Sequence, residues 1–351
     1  MKKYLLILSS LFIASCASDE SFENLNRDPN NPTEVSSEAL FTSATKKLFD
    51  QMESTNVNTN IYRLLAQYWT ETTYTDESNY DFNTRNIPQN HWGTMYRDVL
   101  FDLKDAKSKT TSEKQIAMIG VLEVYAWQQL VDTFGDIPYT DALKGAEEPT
   151  PAYDDDAKIY ADLLVRIDAA IAKLNGTGSA YGSADIIFGG DMTHWKKFAN
   201  SLIMQLSLQL SKKYPAADGY AATEFKSALA NAGGVITTVA DEAWFTYTAD
   251  FQNPWVANRQ PDYFLSKEFT DALNGRGTTS NTALDARVNV FARYPTREGV
   301  PYGYKNGSGT GKTGMSTKIW TALAPLPLLT ASYTYLNRAE AASLGWTTES
   351  V

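Results

Sequence analysis

The stretch Ser112–Pro138, SEKQIAMIGVLEVYAWQQLVDTFGDIP, decides how the rest of the chain is read. Its opening Ser112-Glu113-Lys114-Gln115 has the form of a capping box, in which a hydroxyl and a carboxamide satisfy the first free N–H groups of a helix. Ile116 to Val131 follow, apolar on nearly every face. A helix without a polar side belongs at the centre of a bundle rather than on its surface. Gly135 stops it, with Pro138 just beyond, the usual C-terminal punctuation.

Working outward, amphipathic helical spacing recurs on both sides of this centre. Ser36 or Ser37 can cap a helix carrying Phe41, Ala44, Leu48 and Met52 on one face. Ile61, Leu64, Leu65, Tyr68 and Trp69 repeat the pattern, as do Trp92, Met95, Tyr96, Val99, Leu100 and Leu103. Asp154, Asp155 and Asp156 precede Ile159, Leu163, Leu164, Ile167, Ala170 and Ile171, so three carboxylates sit where the helix dipole favours them. Trp195 to Lys213 and Glu224 to Ala232 read as further helices. Beyond Asp241 the texture changes: Ala243–Tyr247 is β-prone, one helix is expected near Tyr263–Leu273, and Leu328–Leu344 is helical again. The chain is therefore expected to be mainly α, built of helical hairpins with loop-rich insertions and minor β. No clean repeat of a regular helical-repeat array is present.

The N-terminus reads as an address. Lys2 and Lys3 precede the apolar run Tyr4–Ala14, too short to span a bilayer but matching a secretory segment. It ends Leu11-Phe12-Ile13-Ala14-Ser15-Cys16, the form of a bacterial lipobox, and Cys16 is the chain's single cysteine. The expected organisation is a signal peptide at 1–15, a lipidated tether and Asn/Pro-rich loop at 16–35, and one helical domain at 36–351. Several acyl chains on Cys16 would anchor the protein in a membrane, where one chain binds only weakly.

Composition excludes several functions. With 31 basic and 41 acidic residues the 351-residue chain carries a net charge of −10, and no clustered Lys or Arg invites nucleic acid. One cysteine rules out a disulfide scaffold. Two histidines, His91 and His194, make a zinc site unpromising, and neither a Gly-x-Ser-x-Gly elbow nor a His-Glu-x-x-His motif occurs. No cofactor or metal is expected. Asn306–Thr313 resembles a phosphate loop, but Asn306 stands where the first glycine is required and no buried strand precedes it.

Aromatic residues carry more information: 8 Trp, 20 Tyr and 15 Phe. Several fall where no apolar period exists. Tyr74, Tyr80 and Phe82 lie among Asp76, Asn79, Asp81 and Arg85; Trp255 lies in an Asn- and Gln-containing loop; Tyr302 and Tyr304 flank Gly303. Rings mixed with amides, carboxylates and guanidinium suit a sugar or a peptide, because the ring covers a C–H face while polar groups take hydroxyls or amides. Tyr74, Asp76, Tyr80, Phe82, Arg85, Trp255, Tyr302 and Tyr304 are the candidate ligand residues.

Leu130-Val131-Asp132-Thr133-Phe134-Gly135-Asp136-Ile137-Pro138-Tyr139 resembles the hallmark of the SusD/RagB family of outer-membrane lipoproteins. Asn26-Arg27-Asp28-Pro29-Asn30, Tyr153-Asp154, Gly189-Gly190-Asp191 with Trp195 to Leu202, Leu284-Asp285-Ala286-Arg287, and Arg338-Ala339-Glu340-Ala341 with Gly345-Trp346 are similar to further family segments, in order along nearly the whole chain. The resemblance implies a TPR-like helical fold with a loop-rich ligand face. It also implies a non-catalytic surface lipoprotein of the outer membrane that captures oligosaccharide for a SusC-like TonB-dependent barrel. A peptide ligand is the alternative within the family, and a surface glycoside hydrolase the alternative outside it. Family members usually continue past the Ala-Glu-Ala helix, so part of the family fold is expected to be missing after Val351, leaving apolar surface exposed on Leu328–Leu344.

Overall fold

Helix α1 (Ser37–Glu53) forms where the sequence predicts it and buries Phe41, Ala44, Leu48 and Phe49 completely. The computed structural model describes residues 35–54, 56–175, 180–257, 260–276, 282–293, 297–304 and 309–349; the apolar N-terminal run, Cys16 and residues 305–308 lie outside the described residues. From Ser37 onward the chain forms one compact unit.

After the short α2 (Tyr62–Leu65), a continuous helical rod runs through α3 (Ile87–Gly93), a π-helical stretch at Thr94–Leu100, and α4 (Phe101–Ser108). α1 packs along this rod. The central helix α5 (Glu113–Phe134) buries 13 residues, including Ile119, Val124, Trp127 and Leu130. Only half of its expected capping box forms. Ser112 Oγ accepts the Gln115 N–H at 3.5 Å, but the Ser112 N–H goes to Thr110 Oγ1 at 3.1 Å, and the Gln115 carboxamide accepts from Thr110 as well. Thr110 thus takes the place of the returning side chain.

The segment after α5 ties it to α6 (Asp156–Lys173). Gly135, at φ 75°, ends the helix with a backbone that favours glycine. Ile137 and Pro138 (β2) pair antiparallel with Tyr153 and Asp154 (β3). Asp136 accepts the Asp156 N–H at 3.0 Å, Asp154 accepts the Tyr139 and Thr140 N–H groups at 3.1 and 2.8 Å, and Asp132 on α5 accepts the Tyr160 hydroxyl. The three adjacent aspartates therefore split their work: Asp155 caps α6 through Lys158 N, Asp156 opens its first turn, and Asp154 braces the loop.

Next come α7 (Met192–Gln209), which starts three residues before Trp195 under an Asp191 cap, and α8 (Tyr220–Ala230), which packs on it. α5 packs on α6, α6 on α7, and α7 on α8 and α11 (Ala331–Ser343), so successive helix pairs stack as the hairpin pattern requires. On α11, Tyr333, Tyr335 and Leu336 are exposed, as is Leu344 just after it.

The loop-rich half is held by two short antiparallel pairs. β1 (Trp69–Glu71) pairs with β5 (Tyr263–Leu265), and β4 (Ala243–Phe245) with β6 (Leu326–Leu329). Here the structure corrects helical periodicity at three places. The pattern Ile61–Trp69 is helical only to Leu65, because Gln67 turns to φ 57° and Trp69 pairs across to Leu265. Tyr263–Leu265 is strand, and α9 (Lys267–Leu273) starts only after the Ser266 cap. Leu328 and Leu329 are likewise strand, with Thr330 capping α11. Long-range strand partners override local periodicity in such short apolar runs. The short α10 (Val288–Phe291) completes this half. Its core is aromatic: Trp69 meets Trp255 edge-on at 5.2 Å and Trp320 at 5.6 Å, with Tyr263 and Phe245 in the same cluster.

Candidate functional site

β1 ends at Glu71 and releases a loop that returns at Ile87, the start of α3. This loop carries Tyr74, Asp76, Tyr80, Phe82 and Arg85. Asn79 N and Asp81 N both donate to Asp76 O, at 3.0 and 2.9 Å, and Asn79 Nδ2 donates to Thr75 O at 2.7 Å, so the turn is closed from within. Tyr74 and Tyr80 take the left-handed backbone, φ 58° and 61°, yet both side chains stand out in solvent, 67% and 54% exposed. Non-glycine residues in that region each cost on the order of 1–3 kcal/mol, and such strain collects at ligand sites.

A second loop leans on the first. The Gly303 N–H points to Thr70 Oγ1 at 3.4 Å, and a Cβ on Gly303 would meet Ser78 O at 3.1 Å, so glycine permits the close approach. Tyr302 N donates to Glu268 at 3.2 Å. The contact sets Tyr302 at 6.2 Å from Tyr80, which in turn lies 6.3 Å from Phe82 in an edge-on arrangement. Gln67 Nε2 reaches the Tyr80 hydroxyl at 3.4 Å. Tyr304, 64% exposed, extends the second loop into solvent. The structure therefore joins Tyr80, Phe82 and Tyr302 directly and places Tyr74 and Tyr304 on the same two loops.

Beneath the tyrosines lies a buried charge cluster. Glu77 is fully buried and Glu71 is 2% exposed. Arg85 Nε donates to Glu77 Oε1, while Glu77 Oε2 has no donor among the described residues. Glu71 Oε2 accepts from the Ser78 N–H at 3.0 Å and the Ser78 hydroxyl at 2.9 Å. Burial, aided by neighbouring Glu77, pushes the Glu71 carboxyl up to about 8, against the opposing Ser78 hydrogen bonds. Burial also raises the Tyr302 phenol. Arg85, expected to reach a ligand, instead holds Glu77, and Asp76 closes the turn through its backbone.

Trp255 does not join this face. It is 7% exposed, packs edge-on to Trp69 and tilted against Trp320, and donates Nε1 to Glu53 O at 2.6 Å. Its large apolar ring is taken up by the aromatic core. Sequence reasoning missed Glu71, Glu77, Ser78 and Gln67. The first three lie next to the singled-out aromatics, but nothing local shows that a carboxylate in a polar loop is buried.

Other features of catalytic interest are quiet. His91 is buried, accepts Gln51 Nε2 at Nδ1 (2.7 Å), and is lowered to about 4 by that burial. His194 is partly exposed and contacts Asp191 at 3.3 Å. No group of acidic, histidine or cysteine residues among those described could hold a metal, and no described helix is long and apolar enough to cross a membrane. A separate cleft of about 750 Å³ opens between the π-helical stretch and the β2–β3 loop, walled by Trp92, Tyr96, Phe101, Leu143 and Tyr153.

A family model described as starch-binding and associating with the outer membrane, SusD-like, matches residues 29–351. Among solved structures, a chitin-binding SusD homologue from Flavobacterium johnsoniae is 23% identical, with a TM-score of 0.73, over 89% of this chain and 67% of that one. A chitin-binding protein gives 22% and 0.74, over 90% and 71% of the two chains. A SusD homologue from Bacteroides vulgatus gives 20% and 0.72, over 89% and 67%. Functionally curated proteins give no match. The hallmark segment joining α5 to α6, the stacked helix pairs and the family match over residues 29–351 place this chain in the SusD-like family.

Proposed function

We propose that this protein is a non-catalytic lipoprotein of the outer membrane, anchored through Cys16, that captures oligosaccharide on the Tyr74–Tyr80–Tyr302–Tyr304 face. It would pass the sugar to a partner SusC-like TonB-dependent barrel. The observation that carries this reading is exposed Tyr80, held in left-handed backbone beside Tyr302, with a second exposed left-handed tyrosine, Tyr74, on the same loop. Exposed rings favour a sugar's C–H face, and the surrounding Gln67, Asn79 and Asp81 offer hydrogen bonds to hydroxyls. Structures sharing the fold are described as chitin-binding, which makes β-linked N-acetylglucosamine oligomers the first ligands to try. Glu71 and Glu77 lie under the face rather than on it, where they cannot flank a glycosidic bond.

The test is calorimetry of the mature protein against chitohexaose, maltoheptaose, xylohexaose and a mixed peptide library. Saturable glycan binding that weakens in Tyr80→Ala supports the reading. Binding of peptides alone, or hydrolysis of any glycan, rejects it. Purification from native membranes should bring down a large barrel; recovery of the protein alone rejects the transport partnership.

A further inference from the structure

The Glu71–Glu77–Arg85 cluster holds two buried carboxyls and one guanidinium. Glu77 Oε1 is satisfied by Arg85, but Glu77 Oε2 is buried with no hydrogen-bond partner among the described residues. A buried carboxylate oxygen without a donor carries a large desolvation cost. Glu71 accepts the Ser78 N–H, the amide directly after Glu77, which brings the two buried carboxyls close together. One oxygen of Glu71 already accepts from Ser78, so its other oxygen is free to carry a proton. A single proton on Glu71 then satisfies the orphan Glu77 oxygen and leaves the cluster electrically balanced: one carboxylate against one guanidinium.

We propose that Glu71 is a neutral acid in the folded protein, donating its proton to Glu77, and that this shared proton with Arg85 sets the loop carrying Tyr74 and Tyr80. Glu71 and Glu77 are thereby positioning residues for ligand capture, an inference that rests on the proposed glycan face. The charged and titratable neighbours agree. Asp76 and Arg85 face the pair from the loop itself, Tyr263 from β5, and Tyr302 with Glu268 from the neighbouring elements. Of these, Asp76 and Glu268 oppose a second negative charge, while the buried phenols stay neutral. Ionising Glu71 places two carboxylates together against one arginine, repels Glu77, and unseats the turn at Ser78.

The decisive measurement does not use a ligand. The full mature protein, labelled with ¹³C at the Glu side-chain carboxyl, is titrated by NMR, with the Glu71 signal assigned by its absence in Glu71→Gln. We expect Glu71 to be protonated at about pH 6 and to ionise only above neutrality, and Glu77→Gln to move that transition downward by relieving the charge repulsion. A Glu71 signal that titrates in the ordinary carboxylate range overturns the proposal, as does one that ignores Glu77→Gln. Chitohexaose affinity is then followed between about pH 6 and pH 9. A loss of roughly tenfold in the native protein, and a flat profile in Glu71→Gln, whose amide keeps the donor, supports the positioning role. Parallel profiles in both proteins overturn that role. If chitohexaose does not bind at all, the glycan reading is at fault, and the carboxyl titration still decides the shared proton.

Discussion

Asp185 and Trp195, ten residues apart, meet in the core: Asp185 Oδ2 accepts the Trp195 indole N–H at 2.7 Å. The same oxygen accepts the Gly190 N–H at 2.7 Å, and Oδ1 accepts Ile187 N and Phe188 N at 3.0 and 3.3 Å. Asp185 is 3% exposed and Trp195 fully buried. One carboxylate thus collects the N–H groups of the tight turn before α7 and locks the tryptophan in its first turns. Gly189 and Gly190, at φ 60° and 84°, let the chain wrap around it.

Replacing this hub should be severe. Asp185→Ala strands buried donors at about 1–3 kcal/mol each before any relaxation, so a total loss of about 3 kcal/mol is expected. Urea unfolding measures it. A midpoint unchanged from the native protein would show that water replaces the carboxylate without penalty.

Strain at the ligand face makes an unusual prediction. Tyr80→Gly and Tyr74→Gly should weaken glycan binding by about 0.5–1.5 kcal/mol each, from lost ring contact, which is roughly 2- to 12-fold in Kd. Their thermal stability should stay level or rise slightly, since glycine accepts φ 58–61° without strain. Calorimetry and thermal melts on the same samples decide it. A clear drop in melting temperature with intact binding would mean the rings serve folding instead.

His91 sets an acid limit on stability. Its folded-state pKa is depressed to about 4 by burial, from the ordinary histidine value of 6.5, so the unfolded chain binds more protons between those values. Stability is therefore full above about pH 6.5, falls with decreasing pH, and has lost about 3 kcal/mol from this group near pH 4. Urea midpoints across that range test it. His91→Gln should flatten this limb; an identical pH dependence in the variant would assign the acid sensitivity to other groups.

At the N-terminus, outside the described residues, Cys16→Ala should release the protein from membranes and abolish lipid labelling, because the acyl chains supply the anchor. Membrane fractionation with labelled palmitate checks this. A variant that stays with the membrane fraction and keeps its label refutes lipidation at Cys16.

Much of the helical half was legible because its signals are local. The apolar face of Phe41, Ala44 and Leu48, the all-round apolar run to Val131, and the aspartate caps each lie within a few residues of what they control. Gly135 marks a helix end wherever the rest of the chain goes. The aromatic loops were also visible as rings without a helical period, and Tyr80, Phe82 and Tyr302 do come together.

Long-range contacts decided the remainder. Trp69 looked like the last residue of a helix until Leu265 paired with it, and Trp255 looked like a loop ring until Trp69 and Trp320 enclosed it. Arg85 looked free to meet a ligand, but Glu77, eight residues back, is buried and claims it. The amino-acid order by itself determined that the main helices form and which local signals cap or stop them, and which residues are aromatic or charged, because helix periodicity and capping act over one or two turns. Which rings face water and which carboxyls lose it was decided only when distant segments closed over one another, since burial belongs to the packed chain and not to any residue's neighbours in sequence.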